Sequence, residues 1–143
     1  MNPTELKSQY QWKYPATLEN VEQVCIEVLR VLKDNALGQK DLFAIELLVR
    51  EAINNAFLHG CQQNPFLLFS CLLMVSPHDV TIIVSDEGAG FDWRCKSGNL
   101  PGCSCESGRG LHIFSMYANS IKYNDAGNCV TLTRMLNQGE KDE

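Results

Sequence analysis

An α+β two-layer sandwich, with helices on one face of a mixed, mostly antiparallel sheet, is the fold the sequence predicts. Apolar residues recur at helical spacing in two stretches before Gly60, and apolar runs after Phe66 are short and bounded by turn residues. Helices therefore precede a strand-rich remainder, the order expected of helices packed on one side of a sheet.

After a polar leader, Gln11 to Tyr14 reads as a short edge strand ending at Pro15. Thr17 offers an N-cap, and Leu18, Val21, Cys25, Val28 and Leu32 then recur at steps of three and four, a helix with one buried stripe. Gly38 punctuates it. A second helix, near Lys40 to Leu58, presents Ile45, Leu48, Val49, Ala52, Ile53 and Ala56 on one face and closes at Gly60. Phe66 to Val75 and Val80 to Val84 are expected to pair antiparallel across Pro77-His78-Asp79. From Gly88 to Gly110 glycines, cysteines and polar residues leave no period, which predicts a long loop, a feature uncommon without a function. Leu111 to Ala118 resumes as a short helix, Ile121 to Tyr123 and Cys129 to Leu136 form a last strand pair across Asp125-Ala126-Gly127, and the charged tail 137–143 is expected to fray.

A chain of 143 residues with 45% hydrophobic content suits one folded domain, 1–143, with a core over about 11–136. The formal net charge of -5 opposes a broad phosphate-binding surface, so nucleic acid is not an expected partner. No basic stretch leads into an apolar segment at the start, and the longest apolar run, Pro65 to Val75, is too short for a bilayer; a soluble, cytoplasmic protein without membrane contact is expected. The seven cysteines are odd in number and irregular in spacing, which fits reduced thiols. Cys95, Cys103 and Cys105 cluster without the C-x2-C pair or fourth ligand of structural zinc, whereas Cys25, Cys61, Cys71 and Cys129 read as small core residues. His78 and His112 have no second ligand at metal spacing and read as surface or packing residues.

Three constellations carry chemistry. Asp86-Glu87-Gly88-Ala89-Gly90-Phe91 follows an apolar strand: a terminal carboxylate can accept an amine proton while bare backbone lets a ring approach, although Asp-x-Gly-x-Gly equally describes an ordinary turn. Glu51 and Asn55, four apart, share one helix face, where a carboxylate suits a general base and an amide oxygen can complete the shell of a phosphate-bound Mg2+; a solvated helix face uses the same residues. Ser107-Gly108-Arg109-Gly110-Leu111 precedes a helix, a place that favours phosphate and is also an ordinary glycine-rich cap. It lacks the terminal Gly-Lys-Ser/Thr of a P-loop.

Together and in order, these boxes resemble the GHKL ATPase family. Glu51-Ala52-Ile53-Asn54-Asn55-Ala56 with His59-Gly60 is similar to its N box, Asp86 to Phe91 to its first glycine box, and Gly108-Arg109-Gly110-Leu111 to its second. The E-A-x-x-N-A-x-x-H-G form and the G-R-G-L signature most resemble the bacterial anti-sigma factor serine/threonine kinases, over about Tyr14 to Leu136. That resemblance implies a Bergerat fold. It implies ATP and Mg2+ as ligands, Asp86 accepting from the adenine amino group, Gly88, Gly90 and Phe91 lining adenine and ribose, Asn55 on the metal, and Glu51 activating the attacking hydroxyl. His59 would lie near the phosphates, and residues 92–110 would be the ATP lid with Gly108, Arg109, Gly110 and Leu111 at its hinge. The implied substrate is a serine or threonine on a STAS-domain anti-anti-sigma protein, with a sigma factor as second partner and a homodimer as a further association.

The chain departs from the pattern at three places. Relatives often begin the closing strand with Gly-Thr, whereas Asn128 follows Gly127 and would bring an amide to the adenine site; Glu106 stands where some relatives carry a basic residue; and the three lid cysteines have no counterpart. Other readings remain open. A nucleotide-gated module that sequesters a partner without phosphorylating it would keep partner control after Glu51→Ala. A detached catalytic domain of a histidine kinase would call for a phosphoacceptor helix, which does not precede residue 15.

Overall fold

The computed structural model describes residues 8–89 and 112–136. Its elements are β1 (Ser8–Pro15), α1 (Leu18–Asp34), α2 (Gln39–Asn55), a π-helical turn (Ala56–Gly60), β2 (Leu68–Val75), β3 (Asp79–Asp86), a short helix α3 over residues 112–117, β4 (Ser120–Tyr123) and β5 (Cys129–Met135). The strands form one sheet in the order β1-β2-β3-β5-β4. Every pairing among the described residues is antiparallel, so the parallel component of a mixed sheet is not found there. For two of the four pairings the reason is local, since β2 to β3 and β4 to β5 are hairpins whose tight connections impose reversal.

The helix stripes and the strand alternation meet in one core. Along β2 every second residue is buried, namely Phe69, Cys71, Leu73 and Val75, and β3 continues the same layer with Val80, Ile82 and Val84. Against them pack Val21, Val24, Cys25, Val28 and Leu32 of α1 and Ile45, Leu48, Val49, Ala52 and Ile53 of α2. The alternation is what keeps the register, since a slip of one residue would turn this whole set outward. The register itself places Trp12 opposite Cys71 and Cys71 opposite Val84, a row crossing three strands at the buried face.

Caps and turns follow the local chemistry. Thr17 is the N-cap of α1, its Oγ1 accepting from the Asn20 N–H at 3.1 Å. β1 is longer than the Gln11 to Tyr14 segment predicted, because it pairs with all of β2 from Ser8 opposite Val75 to Pro15 opposite Leu68. It is also tied to α1, where Glu27 accepts from the Trp12 indole N–H at 2.7 Å. At the β2–β3 hairpin the Ser76 hydroxyl donates to the Asp79 carboxylate at 2.9 Å and accepts from the Asp79 N–H at 3.0 Å.

The largest departure from expectation is at the end of α2. The α-helix stops at Asn55 and does not continue as such to Leu58; the next turn is π-helical, closed by the Cys61 N–H donating to the Ala56 carbonyl at 2.7 Å. One extra residue per turn widens the helix there, and such bulges concentrate at functional sites. The consequence is positional: Gly60 is delivered against the end of β3.

Candidate functional site

A cavity of about 140 Å³ opens between the end of α2, the ends of β3 and β5, β4 and α3. Its apolar walls are Ala52, Ala56, Val84, Phe114 and Val130, and its polar groups are Asn55, His59, Asp86, Tyr123 and Asn128. Apolar walls with a few fixed polar groups are the usual composition of a small-molecule site.

Asp86 is the last residue of β3 and half-buried, with one carboxylate oxygen, Oδ1, accepting from the Gly88 N–H at 2.8 Å. Burial raises its pKa above the ordinary 3.8, against the lowering effect of the Gly88 hydrogen bond. Its backbone is fixed as well, the Asp86 N–H donating to the Asn128 carbonyl at 3.0 Å. The carboxylate packs against two glycines, which also pack against each other. A Cβ on Gly60 would stand 2.6 Å from Asp86 Oδ1, and a Cβ on Gly88 would stand 2.6 Å from the Gly60 carbonyl carbon and 2.9 Å from Asp86 Oδ1. Neither glycine has room for a side chain, because the atoms met include backbone or a carboxylate already held from the other side.

We therefore expect Gly88→Ala to shift Asp86 and destabilise the fold by about 1–3 kcal/mol, the usual range for overpacking. Denaturant unfolding with a ligand titration checks this. Unchanged stability together with unchanged affinity would show that the two glycines are not packed as described.

Asn128 joins the first glycine segment to the closing hairpin. Its amide Nδ2 donates to the Gly88 carbonyl at 3.2 Å, and its Oδ1 accepts from Asn124 Nδ2 at 2.7 Å. Asn124 Oδ1 in turn accepts from the N–H groups of Gly127, Asn128 and Cys129 at 2.8, 3.0 and 3.2 Å. Gly127 has φ 81°, a left-handed conformation that glycine adopts without strain. The amide after Gly127 thus ties two pocket edges together, a role that a shorter hydroxyl would not fill in the same way.

On the helix side, Asn55 and His59 both line the cavity. Glu51 stands one turn back on the same face of α2 and is not a lining residue. It lies within electrostatic range of Tyr123, whose phenol is pushed up to about 12, chiefly by burial and secondly by the Glu51 carboxylate. The second face thus carries a carboxylate one helical turn from the amide.

Of the residues singled out in the sequence, Asn55, His59, Asp86 and Asn128 come together around the cavity, and Gly88 lies against Asp86. Gly90, Phe91, Gly108, Arg109, Gly110 and Leu111 lie outside the described residues, as do Cys95, Cys103 and Cys105. Phe114 and Tyr123 are site residues the sequence did not single out, and Gly60 was quoted with the N box but given no role of its own. Gly60 is visible in hindsight beside His59, but Phe114 and Tyr123 carry no local signal, being ordinary apolar positions of a short helix and a strand.

The cysteines divide. Cys25, Cys61 and Cys71 are buried as expected of core residues, and burial pushes the Cys71 thiol up to about 12. Cys129 is instead part-exposed and lines the cavity, because it opens β5 opposite Ser85, beside the carboxylate. Burial and then the Asp86 charge raise the pKa of both Cys61 and Cys129, so both stay thiols at neutral pH.

The arrangement can hold a flat, amine-bearing ring: a recessed carboxylate to accept from the amine, bare backbone at Gly60 and Gly127, and apolar side chains among the walls. Residues 14–134 match the family model described as the histidine kinase-like ATPase domain. No curated protein matches the chain.

Proposed function

This chain belongs to the histidine kinase-like ATPase domain family, and on that premise we propose that it is an ATP-dependent protein serine kinase acting as an anti-sigma factor by partner switching. The coarser part follows from the family: the domain is of the GHKL type and binds ATP. The finer part is our reading. It is supported by one observation above the others, a half-buried carboxylate packed against Gly60 and Gly88 and lining one cavity with Asn55, with Glu51 one turn behind.

In this reading Asp86 accepts from the adenine amino group, Gly88 holds that carboxylate from behind through its N–H, and the backbone of Gly60 and Gly127 borders the space the ring would enter. The residues present fit a Mg2+ site at Asn55. Among the described residues no group of three or more His, Cys, Asp or Glu could hold a metal ion, so the ion would draw its other ligands from phosphate and water. When bound, it neutralises charge on the phosphates. Glu51 takes the proton of a seryl or threonyl hydroxyl as that oxygen bonds to the γ-phosphorus, and the bond from the γ-phosphorus to the bridging oxygen breaks to release ADP. Gly108, Arg109, Gly110 and Leu111 would serve the phosphates at the lid hinge, with Gly90 and Phe91 by the ribose.

The proposed substrate is a STAS-domain anti-anti-sigma protein, and the proposed competing partner a sigma factor, held by a cytoplasmic, dimeric kinase. No helix among the described residues is long and apolar enough to cross a membrane. Incubation of the chain with Mg-ATP and candidate STAS proteins tests the reading. We expect serine or threonine phosphate on a candidate; measurable ATP binding with no phosphate on any of them overturns the kinase assignment.

A further inference from the structure

We propose that Arg134 is a positioning residue of the nucleotide site, acting from the far end of the fold by clamping α2, α3 and β5 together; the proposal rests on the ATP-binding reading of the cavity. Arg134 lies near the end of β5, and its Nε donates to Asp41 Oδ1 at 3.0 Å while its Nη1 donates to the Tyr117 carbonyl at 2.8 Å. Both partners of the ion pair are sheltered, with side-chain exposures of 15% and 8%.

Each of the three elements it joins contributes to the cavity wall, beside β3 and β4. Asp41 is in the first turn of α2, whose last turn carries Asn55 about 20 Å away at 1.5 Å per residue. Tyr117 ends α3, the helix that puts the buried Phe114 into the cavity and follows Gly110-Leu111 in the chain. β5 brings Cys129 and Val130 to the cavity from its other end, directly after Asn128.

The last carbonyls of a helix have no partner within it and need donors from elsewhere. Arg134 supplies one, and the edge-to-face contact of Phe43 with Tyr117, centroids 6.0 Å apart, adds a second tie between α2 and α3. Below them, the Asn119 N–H donates to the Thr133 carbonyl and the Met135 N–H to Asn119 Oδ1, both at 2.7 Å, which locks the exit of α3 to β5. The guanidinium is suited to the task because its fixed fork serves two acceptors at once, which an ammonium point charge does less well.

The test compares Arg134→Lys, and the double change Arg134→Met with Asp41→Leu, against the parent chain, each held well below its own melting temperature. Replacing both members of a buried ion pair with apolar residues is often neutral for stability, so the double variant separates support of the fold from support of the site. We expect the double variant to melt near the parent and to bind Mg-ATP roughly 2- to 30-fold more weakly, the range of long-range coupling between packed elements, with the loss in KM and not in kcat. Arg134→Lys should fall between the two, and it carries the test if the double variant does not fold. Parent affinity in the folded variants overturns the proposal. If the parent chain bound no Mg-ATP, the nucleotide reading would fail on its own, and amide exchange over residues 114–118 in the ligand-free protein would still decide the clamp: faster exchange in the variants supports it, and unchanged exchange overturns it.

Discussion

Replacing Glu51 with Gln is expected to slow phosphate transfer by about 10²- to 10⁴-fold while leaving ATP affinity near that of the parent. The amide keeps the shape and hydrogen-bonding reach of the carboxylate and loses the ability to take a proton. Glu51 stands on α2 one turn from Asn55 and does not line the cavity, so removal of its charge leaves the walls of the site intact. The separation of rate from affinity is the informative part. Single-turnover transfer to a STAS substrate, together with equilibrium binding of ATP, measures both. A parent rate in Glu51→Gln would put the base elsewhere, and a parallel fall in affinity would mean that Glu51 contacts the nucleotide itself. Relief of the Glu51 charge should also lower the pKa of Tyr123 somewhat, a change visible in its ultraviolet titration and independent of any substrate.

How far the fold and the site could be read in advance depends on how local the determining interactions are. The α1 stripe with its Thr17 cap, the period-two burial of β2 and β3, and both hairpins rest on neighbours within a few residues, and each is where the pattern puts it. The helix face of Glu51 and Asn55 and the strand-terminal Asp86 were legible for the same reason. The π turn at Ala56–Gly60 was not, since nothing in Ala-Phe-Leu-His-Gly opposes an ordinary α turn, and its effect, Gly60 packed on Asp86, involves a strand end far along the chain. Phe114 and Tyr123 reach the cavity through tertiary placement alone. Asp41 and Arg134 are 93 residues apart, and Asp41 occupies a helix start where a solvated acid is the common case. Its burial beneath Arg134 has no trace in the local sequence. Cys129 misleads in the opposite sense: apolar neighbours suggest a core position, but as the first residue of β5 it faces the pocket.

Asp86→Asn should weaken ATP binding by about 10- to 100-fold and leave the ligand-free fold as stable as the parent at neutral pH, or more so. The carboxylate accepts from the Gly88 N–H at 2.8 Å, and on the proposed reading it also accepts from the adenine amino group, so both sides need an acceptor. An amide offers one acceptor and one NH2, so whichever way it turns, a donor meets a donor. The gain in stability arises because burial raises the Asp86 pKa from 3.8, so the folded state binds this proton more tightly than the unfolded chain does. Stability from this group is then fully present below the unfolded pKa and falls as pH rises from about 3.8 through the folded value, after which the deficit is constant. Nucleotide affinity runs the other way over the same interval, because the hydrogen bond to adenine needs the ionised form. Parent protein should therefore show opposite slopes with pH, declining stability of the ligand-free form and rising ATP affinity, and Asp86→Asn should flatten the contribution of this group to both. Denaturant melts and ATP titrations across the acid range provide the measurement. If the variant keeps parent affinity, the carboxylate is a turn residue and the adenine-reading role fails; if it unfolds, the packing between Gly60 and Gly88 depends on the charge and the desolvation argument is wrong.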